Sequence, residues 1–409
     1  MDSMEIYGNR GESCRSRRPI LPFRTGSNWM PRFQLMVKVL AAIVFVAFLH
    51  PVDAQLTILH SFGDGSVTKD GASPQAGLIQ APNGDFFGVT TNQAEQPTVA
   101  AGTVFQMTPA GKLSVIYRFG ANSNLWSNSP LLYYHGKLIG VTPSGPLSTG
   151  TGTLFALSKS ASTGKWRLSF WQKNIGLEGN VVLGSDGNFY GVSLLDVLKI
   201  SATTHTVTTV LNTSDDSNFW IAPGLVEDSD GNLYGSTLYL RGLQYQSGAI
   251  FQLTPSGQVT FTQFQVLAGT GPMIQASNGT FYGLGATFND IGTMSPGIVF
   301  SYAPNGSPGI LHVFGQGSDG TYPVGTVVQG PNGNLYGVTS LGGTAGAGIL
   351  FEVSALGAYT ILHHFGDGSV PNDGLGPQGT LILGKDNNLY GTTAKGGKAG
   401  LGTVFKFTP

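Results

Sequence analysis

The sequence predicts an all-β fold, a seven-bladed β-propeller of four-stranded antiparallel blades closed by its N-terminal strand. Three observations predict it. A short motif recurs seven times, as "NGDFFGVT", "HGKLIGVT", "DGNFYGVS", "DGNLYGST", "NGTFYGLG", "NGNLYGVT" and "DNNLYGTT". Its glycines, Gly88, Gly140, Gly191, Gly235, Gly283, Gly337 and Gly391, are spaced 52, 51, 44, 48, 54 and 54 residues apart, the signature of a tandem array. The array begins on what reads as a fourth strand, "LTILHSF", and ends on what reads as a third, "GTVFKFTP", so each end supplies what the other lacks.

Composition agrees. Among 409 residues there are 61 Gly and 22 Pro with only 11% charged, too much glycine for a helical chain and too little charge for a disordered one. The first 54 residues carry seven Lys and Arg against four acids, which leaves 14 basic and 18 acidic residues, a net of −4, in the remainder. Nothing there offers the basic stripe that a phosphate backbone requires, so nucleic acid is not an expected partner.

Residues 1–54 read as a leader. The run "LMVKVLAAIVFVAFL" at 35–49 has 14 apolar residues in 15 and precedes Val52 and Ala54, small residues at −3 and −1 of a cut after Ala54. As a helix it would span about 22 Å, short of the roughly 30 Å hydrocarbon core, so a cleaved signal peptide is the stronger reading. "MPRFQLMVKVL" makes an ordinary leader if translation starts at Met30. The one cysteine, Cys14, lies before the cut, so the expected mature chain, 55–409, holds no disulfide, no cysteine-ligated metal and no lipid-modified N-terminus. A secreted or periplasmic monomer without a stable membrane anchor is expected.

Within each unit an apolar run such as "AGLIQ" or "GTLIL" precedes the motif. In every copy but the third, a glycine and an apolar-aromatic run such as "GTVFQMTP" or "GILFEVSA" follows, and then an alternating run such as "LSVIYRF" or "TILHHF". That makes four strands, the first two joined by an Asn-Gly or Asp-Gly turn and the last two by a Pro-x-Gly type of turn. The stretch "DSDGNLYGSTLYL" at 228–240 imitates the opening of a calcium loop, but the place twelve residues from Asp228, where a bidentate carboxylate belongs, is Tyr239; it reads as a hairpin turn. The third copy lacks the aromatic run, yet "DVLKIS" and "HTVTTVL" still supply two strands. A six- or eight-bladed ring and an open solenoid are the competing architectures.

The wording "NLYGTTAKGGKAGLGTVFKFTP" in the last copy resembles the GloVer tandem repeat of secreted bacterial proteins of the choice-of-anchor group. The resemblance covers roughly 56–409, is weakest in the second and third copies, and implies export and a repeat-built domain. It assigns no catalytic residues. Such proteins often continue into an anchoring segment, whereas this sequence stops at Pro409, which points to release.

Candidates for chemistry are few. The mature chain has four glutamates, Glu95, Glu178, Glu227 and Glu352, six histidines, and no HExxH, GxSxG or Walker motif. His60, His312 and His363 share one column of the repeat with Tyr117, which favours packing over metal ligation. Eight residues before the repeat glycines stand Gln80, Glu227, Gln275 and Gln329, which read either as polar channel residues or as amides bonding to neighbouring backbone. Loops ending Asp-Gly-x-x-Pro place Asp70, Asp319 and Asp373 either as calcium ligands or in Asx-type turns; no other cofactor is expected.

In an up-and-down meander all tight turns lie on one face of the ring and all long connections on the other. "NQAEQPTVAA", "NSNLWSNS", "NTSDDSNFW" and "YLRGLQYQS" therefore share a face, and with them Trp126, Trp220, Tyr239, Tyr245, Arg241, Asp215 and Asp216, which suit a sugar or a protein partner or else cap the blade ends. A non-enzymatic propeller that binds a glycan or an extracellular protein is the expectation; a lactonase- or polysaccharide-lyase-type enzyme and a structural envelope protein are the alternatives.

Overall fold

The Asn-Gly and Asp-Gly pairs of the motif form tight turns with glycine in the left-handed region, at φ 92° for Gly84, 79° for Gly231 and 82° for Gly333. In the last copy Asn387 occupies that place at φ 62°, a conformation asparagine tolerates better than other side chains. At 228–232 the Asp228 amide donates to the Asn232 carbonyl at 2.9 Å, and the Asp228 carboxylate accepts from the amides of Asp230 and Asn232. That stretch is a hairpin turn.

A computed structural model describes residues 55–92, 102–120, 127, 129–142, 152–214, 219–241, 244–264, 271–286, 296–304 and 306–409, without side chains at 219, 239–241 and 244–247. The described strands form seven antiparallel sheets, one per repeat. Blade 1 lies at 79–118, blade 2 at 132–172, blade 3 at 178–212, blade 4 at 219–264, blade 5 at 274–313, blade 6 at 320–364 and blade 7 at 374–408. The N-terminal strand Gln55–Ser61 pairs antiparallel with Thr403–Thr408 and completes blade 7 as its outermost strand. Blades 4 and 7 depart from the simple unit, because the inner strand is interrupted into two pieces, Phe219–Ile221 with Val226–Glu227 and Gly374–Pro377 with Ile382–Leu383.

The apolar or aromatic pair in the motif packs both faces of each second strand. Leu389 faces the cluster between blades 6 and 7, and its neighbour Tyr390 faces the cluster between blades 7 and 1, where its ring lies 4.2 Å from that of Phe86. The described apolar core is divided into seven clusters, each between one pair of adjacent blades. The cluster joining blade 7 to blade 1 combines Phe62, Tyr390 and Val404 with Leu78, Phe86 and Phe105, so the ring closes through side chains as well as through the first strand.

The repeat glycine has a separate reason. In six blades it pairs across the sheet with a fully buried phenylalanine of the third strand: Gly88 with Phe105, Gly140 with Phe155, Gly235 with Phe251, Gly283 with Phe300, Gly337 with Phe351 and Gly391 with Phe405. A Cβ at Gly235 would lie 2.5 Å from the tip of Phe251, and one at Gly283 would lie 2.6 Å from Phe300. The tip of the ring lies against the glycine, and no other residue leaves it room. Blade 3 is the exception: its Gly191 pairs with Leu198, and the nearest atom to a Cβ there is a methyl of Leu177 at 2.7 Å.

Gly235→Ala should destabilise the protein by about 1–3 kcal/mol through overpacking, seen as a fall of several degrees in Tm. Gly191→Ala should cost clearly less, because a leucine branch turns aside more readily than a confined ring. Equal losses at the two positions in thermal melts would show that the phenylalanine does not set the requirement.

Candidate functional site

The seven inner strands surround a central cavity of about 780 Å3, to which all seven blades contribute. Where these strands begin, glycines bring neighbouring blades into backbone contact. A Cβ on Gly224 would meet Pro272 N at 2.5 Å, one on Gly379 would meet the Ala76 carbonyl at 2.5 Å, and one on Gly77 would meet the Thr380 carbonyl at 2.7 Å. The collar leaves little room for side chains, so the cavity wall is mostly backbone and short residues. Ile79, Leu132, Val182, Ile274 and Ile382 form an aliphatic belt, and Ser129, Asn180, Thr326 and Thr380 add polar groups above it. Glu178 is the one ionisable residue in that lining.

Gln80, Glu227, Gln275 and Gln329 are not part of the lining; three of them tie the turn of one blade to that of the next. The Gln80 side chain donates to the Gly84 carbonyl at 2.9 Å and accepts from the Lys385 amide of blade 7 at 2.9 Å. Gln329 does the same with Gly333 and with Ser277 of blade 5, at 3.1 and 3.0 Å. The Glu227 carboxylate accepts from both the amide and the hydroxyl of Ser185 in blade 3, at 2.7 to 3.0 Å. Gln275 donates to the Gly279 carbonyl at 3.4 Å. Beside these links the first residue of the turn holds the motif tyrosine in blades 7 and 3: Tyr390 donates to Asp386 at 2.8 Å and Tyr190 to Asp186 at 2.9 Å. Burial works to raise the Asp386 carboxyl, but hydrogen bonds from Asn388, Tyr390 and Lys406 prevail and hold it down at about 2. Burial and the Glu352 carboxylate push the equivalent Tyr336 phenol up to about 12.

The Asp-Gly-x-x-Pro loops and the histidine column, which the sequence presents as separate features, meet. His60 and Asp70 are 2.8 Å apart, His312 and Asp319 2.9 Å, and His363 and Asp373 2.9 Å. Backbone amides complete each pair, Gly63 donating to Asp70 at 3.1 Å and Gly366 to Asp373 at 2.9 Å. Asp319 also accepts from Tyr359, whose ring stacks on His312 at 3.6 Å; burial, then that carboxylate, raise the Tyr359 phenol far above its ordinary range. No group of three or more His, Cys, Asp or Glu side chains is placed to hold a metal among the described residues. Each pair latches an outermost strand to the loop that leads into the next inner strand.

On the face of the long connections, Trp126, Asp215 and Asp216 lie outside the described residues. The stretch "YLRGLQYQS" is not a loop: the second and third strands of blade 4 extend to Leu233–Arg241 and Gln244–Leu253, pairing Tyr239 with Ser247, Leu240 with Tyr245 and Arg241 with Gln244. Trp220 is half-buried in the outer piece of the blade 4 inner strand, opposite Leu238. A residue that the sequence reading passed over, Tyr322, is 52% exposed at a left-handed φ of 55°. Its signal was its place directly before the proline of the Asp-Gly-x-x-Pro loop, where Ser73 and Gly376 also have positive φ.

The Gloeobacter/Verrucomicrobia repeat matches residues 45–197 and 268–409. The chain belongs to this repeat family. The gap in the match spans the latter half of blade 3, where leucine replaces the phenylalanine, and the extended hairpin of blade 4. No curated protein matches the chain. Among solved structures, it is similar to a catalytically inactive virginiamycin B lyase from Staphylococcus aureus with quinupristin, at 10% identity over 87% of this chain and 99% of that one, TM-score 0.53. It is similar to an ulvan lyase of a polysaccharide lyase family, at 10% identity over 83% and 93% of the two chains, TM-score 0.53. The extracellular domain of a hybrid two-component system protein from B. thetaiotaomicron is a third, at 11% identity over 86% of this chain and 39% of that one, TM-score 0.52. These likenesses show the propeller fold.

Replacing His363 by alanine strands a buried carboxylate and should cost about 1–3 kcal/mol. A lower Tm than that of the parent, and one that added calcium does not restore, is the expected outcome. Recovery of the parental Tm with calcium would identify the loop as a metal site.

Proposed function

We propose that this member of the Gloeobacter/Verrucomicrobia repeat family is an exported, non-enzymatic binding protein that takes a glycan on the face of its long connections. The inequality of the two faces carries the reading. The opposite face is consumed by tight turns whose polar side chains are committed to one another, as in the bridges from Gln80 to Lys385, Gln329 to Ser277 and Glu227 to Ser185. The ends of the described strands that the longer connections join lie on the other face, on a frame held rigid by seven inter-blade clusters, and binding residues concentrate in such connections. Trp220 and the exposed Tyr322 offer rings to the apolar face of a sugar.

Two considerations support binding over catalysis. The described cavity lining contains a single ionisable group, Glu178, and no second acid or base within it. Three of the six histidines of 55–409, His60, His312 and His363, are spent in latches at the blade edges. Export rests on the leader pattern of residues 35–54.

A glycan array with the purified 55–409 chain tests the proposal. Trp220→Ala and Tyr322→Ala should each reduce binding of the retained glycan about tenfold or more with little change in Tm, whereas the turn-face variants Lys112→Ala and Gln258→Ala should bind as the parent does. Loss of binding in the turn-face variants alone would place the working surface on the wrong side, and turnover of a retained glycan would make the protein an enzyme.

A further inference from the structure

The repeat carries its own control for charge. Where blade 7 meets blade 1, two segments on the face of the long connections pack together: 62–74, which leads from the N-terminal strand into blade 1, and 394–402, between the second and third strands of blade 7. The Phe62 amide donates to the Gly402 carbonyl at 3.0 Å, the Ser73 amide to the Leu401 carbonyl at 2.9 Å and the Ser73 hydroxyl to the Ala394 carbonyl at 3.2 Å. Four cations stand on this sector, Lys395, Lys398, Lys69 and, at the end of the outermost strand of blade 1, Arg118; all four are exposed. Arg118 is fixed to the loop, donating from Nη2 to the Thr68 carbonyl at 2.8 Å and from Nε to the Lys69 carbonyl at 3.2 Å.

The preceding sector, where blade 6 meets blade 7, has the same frame without the charge. Its loop "FGDGSVPNDGLGP" matches "FGDGSVTKDGASP", and its connection "LGGTAGAG" matches "KGGKAGLG". In the places of Lys69, Lys395, Lys398 and Arg118 it holds Asn372, Leu341, Thr344 and Ser61. The latch forms in both sectors, His60 with Asp70 and His363 with Asp373, so the frame requires none of the four cations. Nor do they belong to a general excess of base: residues 55–409 carry 14 basic against 18 acidic residues, and 242–384 contain no Lys or Arg.

Nearby acids do not cancel the charge. Asp64 is largely covered and lies 3.6 Å from Lys398, Asp70 and Asp373 are buried in their latches, and the exposed Asp367 belongs to the preceding sector. Lys69 also sits at φ 58°, a left-handed conformation that suits its counterpart Asn372, at φ 54°, better than a lysine. A lysine kept there at the expense of backbone strain serves something other than the turn.

We propose that the glycan taken on the face of the long connections is acidic, bearing carboxylate or sulfate groups, and that Lys395, Lys398, Lys69 and Arg118 bind those groups. The inference rests on the glycan reading above and names the chemistry of its ligand. One exposed ion pair contributes little, but a polymer charged on successive sugars engages several at once. Cations spread from the second strand of blade 7 to the outermost strand of blade 1 fit such a chain better than a single small anion.

Dextran sulfate, polygalacturonate and neutral dextran, each titrated calorimetrically into the 55–409 chain at low ionic strength, are the probes. At least one acidic polymer should bind about tenfold or more tightly than dextran, and salt at about 0.5 M should remove most of that difference. Which of the two binds identifies the anion. Lys69→Asn combined with Lys398→Thr gives the sector its neighbour's residues; it should weaken the acidic polymer about fivefold or more while Tm holds or rises. Removing the same charge from the turn face, with Lys112→Ala and Lys165→Ala, should change nothing. Lys395→Gln gives the same readout should the first pair disturb the loop. Equal binding of the three polymers, no binding of either acidic one, tighter binding of phosphatidylserine vesicles than of either polymer, or equal losses in the two double variants would overturn the proposal. A neutral glycan retained through Trp220 and Tyr322 would in that case leave the preceding reading standing, whereas loss of glycan binding in Lys112→Ala and Gln258→Ala alone would remove both.

Discussion

A phenylalanine ring laid over a bare glycine is the contact on which this structure depends. It joins the second and third strands of six blades at the same point, and it admits no side chain beneath the ring. The two residues before the glycine point to the two opposite faces of the sheet. One faces the blade before and the other the blade after, as Leu389 and Tyr390 do. A sheet of about fifty residues that is apolar on both faces cannot be satisfied alone, and its copies must stack until the last meets the first. Blade 3, which replaces the phenylalanine with Leu198, survives because its neighbours supply the packing on both sides.

The same economy shapes the working parts. Glycines at the start of the inner strands bring the blades together backbone to backbone, which fixes a narrow channel and leaves few side chains to line it. At the turn face Gln80, Gln329 and Glu227 bridge adjacent blades, and at the blade edges three histidine–aspartate latches hold outer strands to loops. The long connections carry no such bridging duty in the repeat, and the proposed function is placed there.

The sequence made the architecture legible because each link of the motif is local: a turn residue, a large apolar pair, a glycine, and in six blades a phenylalanine one strand later. The complementary ends were legible for the same reason, since strand identity follows from position in the repeat. The latches were not, because His60 and Asp70, or His363 and Asp373, belong to different columns and meet only when the outer strand and the loop fold back together. The polar residues eight before the glycine were visible, but their direction was not. A strand of two residues such as Ile79–Gln80 gives too little alternation to tell channel from neighbouring turn. The blade 4 hairpin was misread as a loop because Gly242 interrupts its pattern. The residues that do line the channel, Glu178, Asn180 and Thr326, fall in a column otherwise filled by glycine, proline and small residues, or next to it, and only the ring brings them to one space.

Seven blades close into a ring through the N-terminal strand, and the backbone of Thr403–Thr408 reports on that closure directly. In the ring that strand is enclosed between Gln55–Ser61 on one side and Leu389–Gly396 on the other. Hydrogen exchange followed by mass spectrometry on the 55–409 chain and on a 63–409 chain would compare its protection. Slow exchange in the longer chain and a large loss of protection at 403–408 in the shorter one is the predicted result. Equal protection in the two would contradict closure by the first strand.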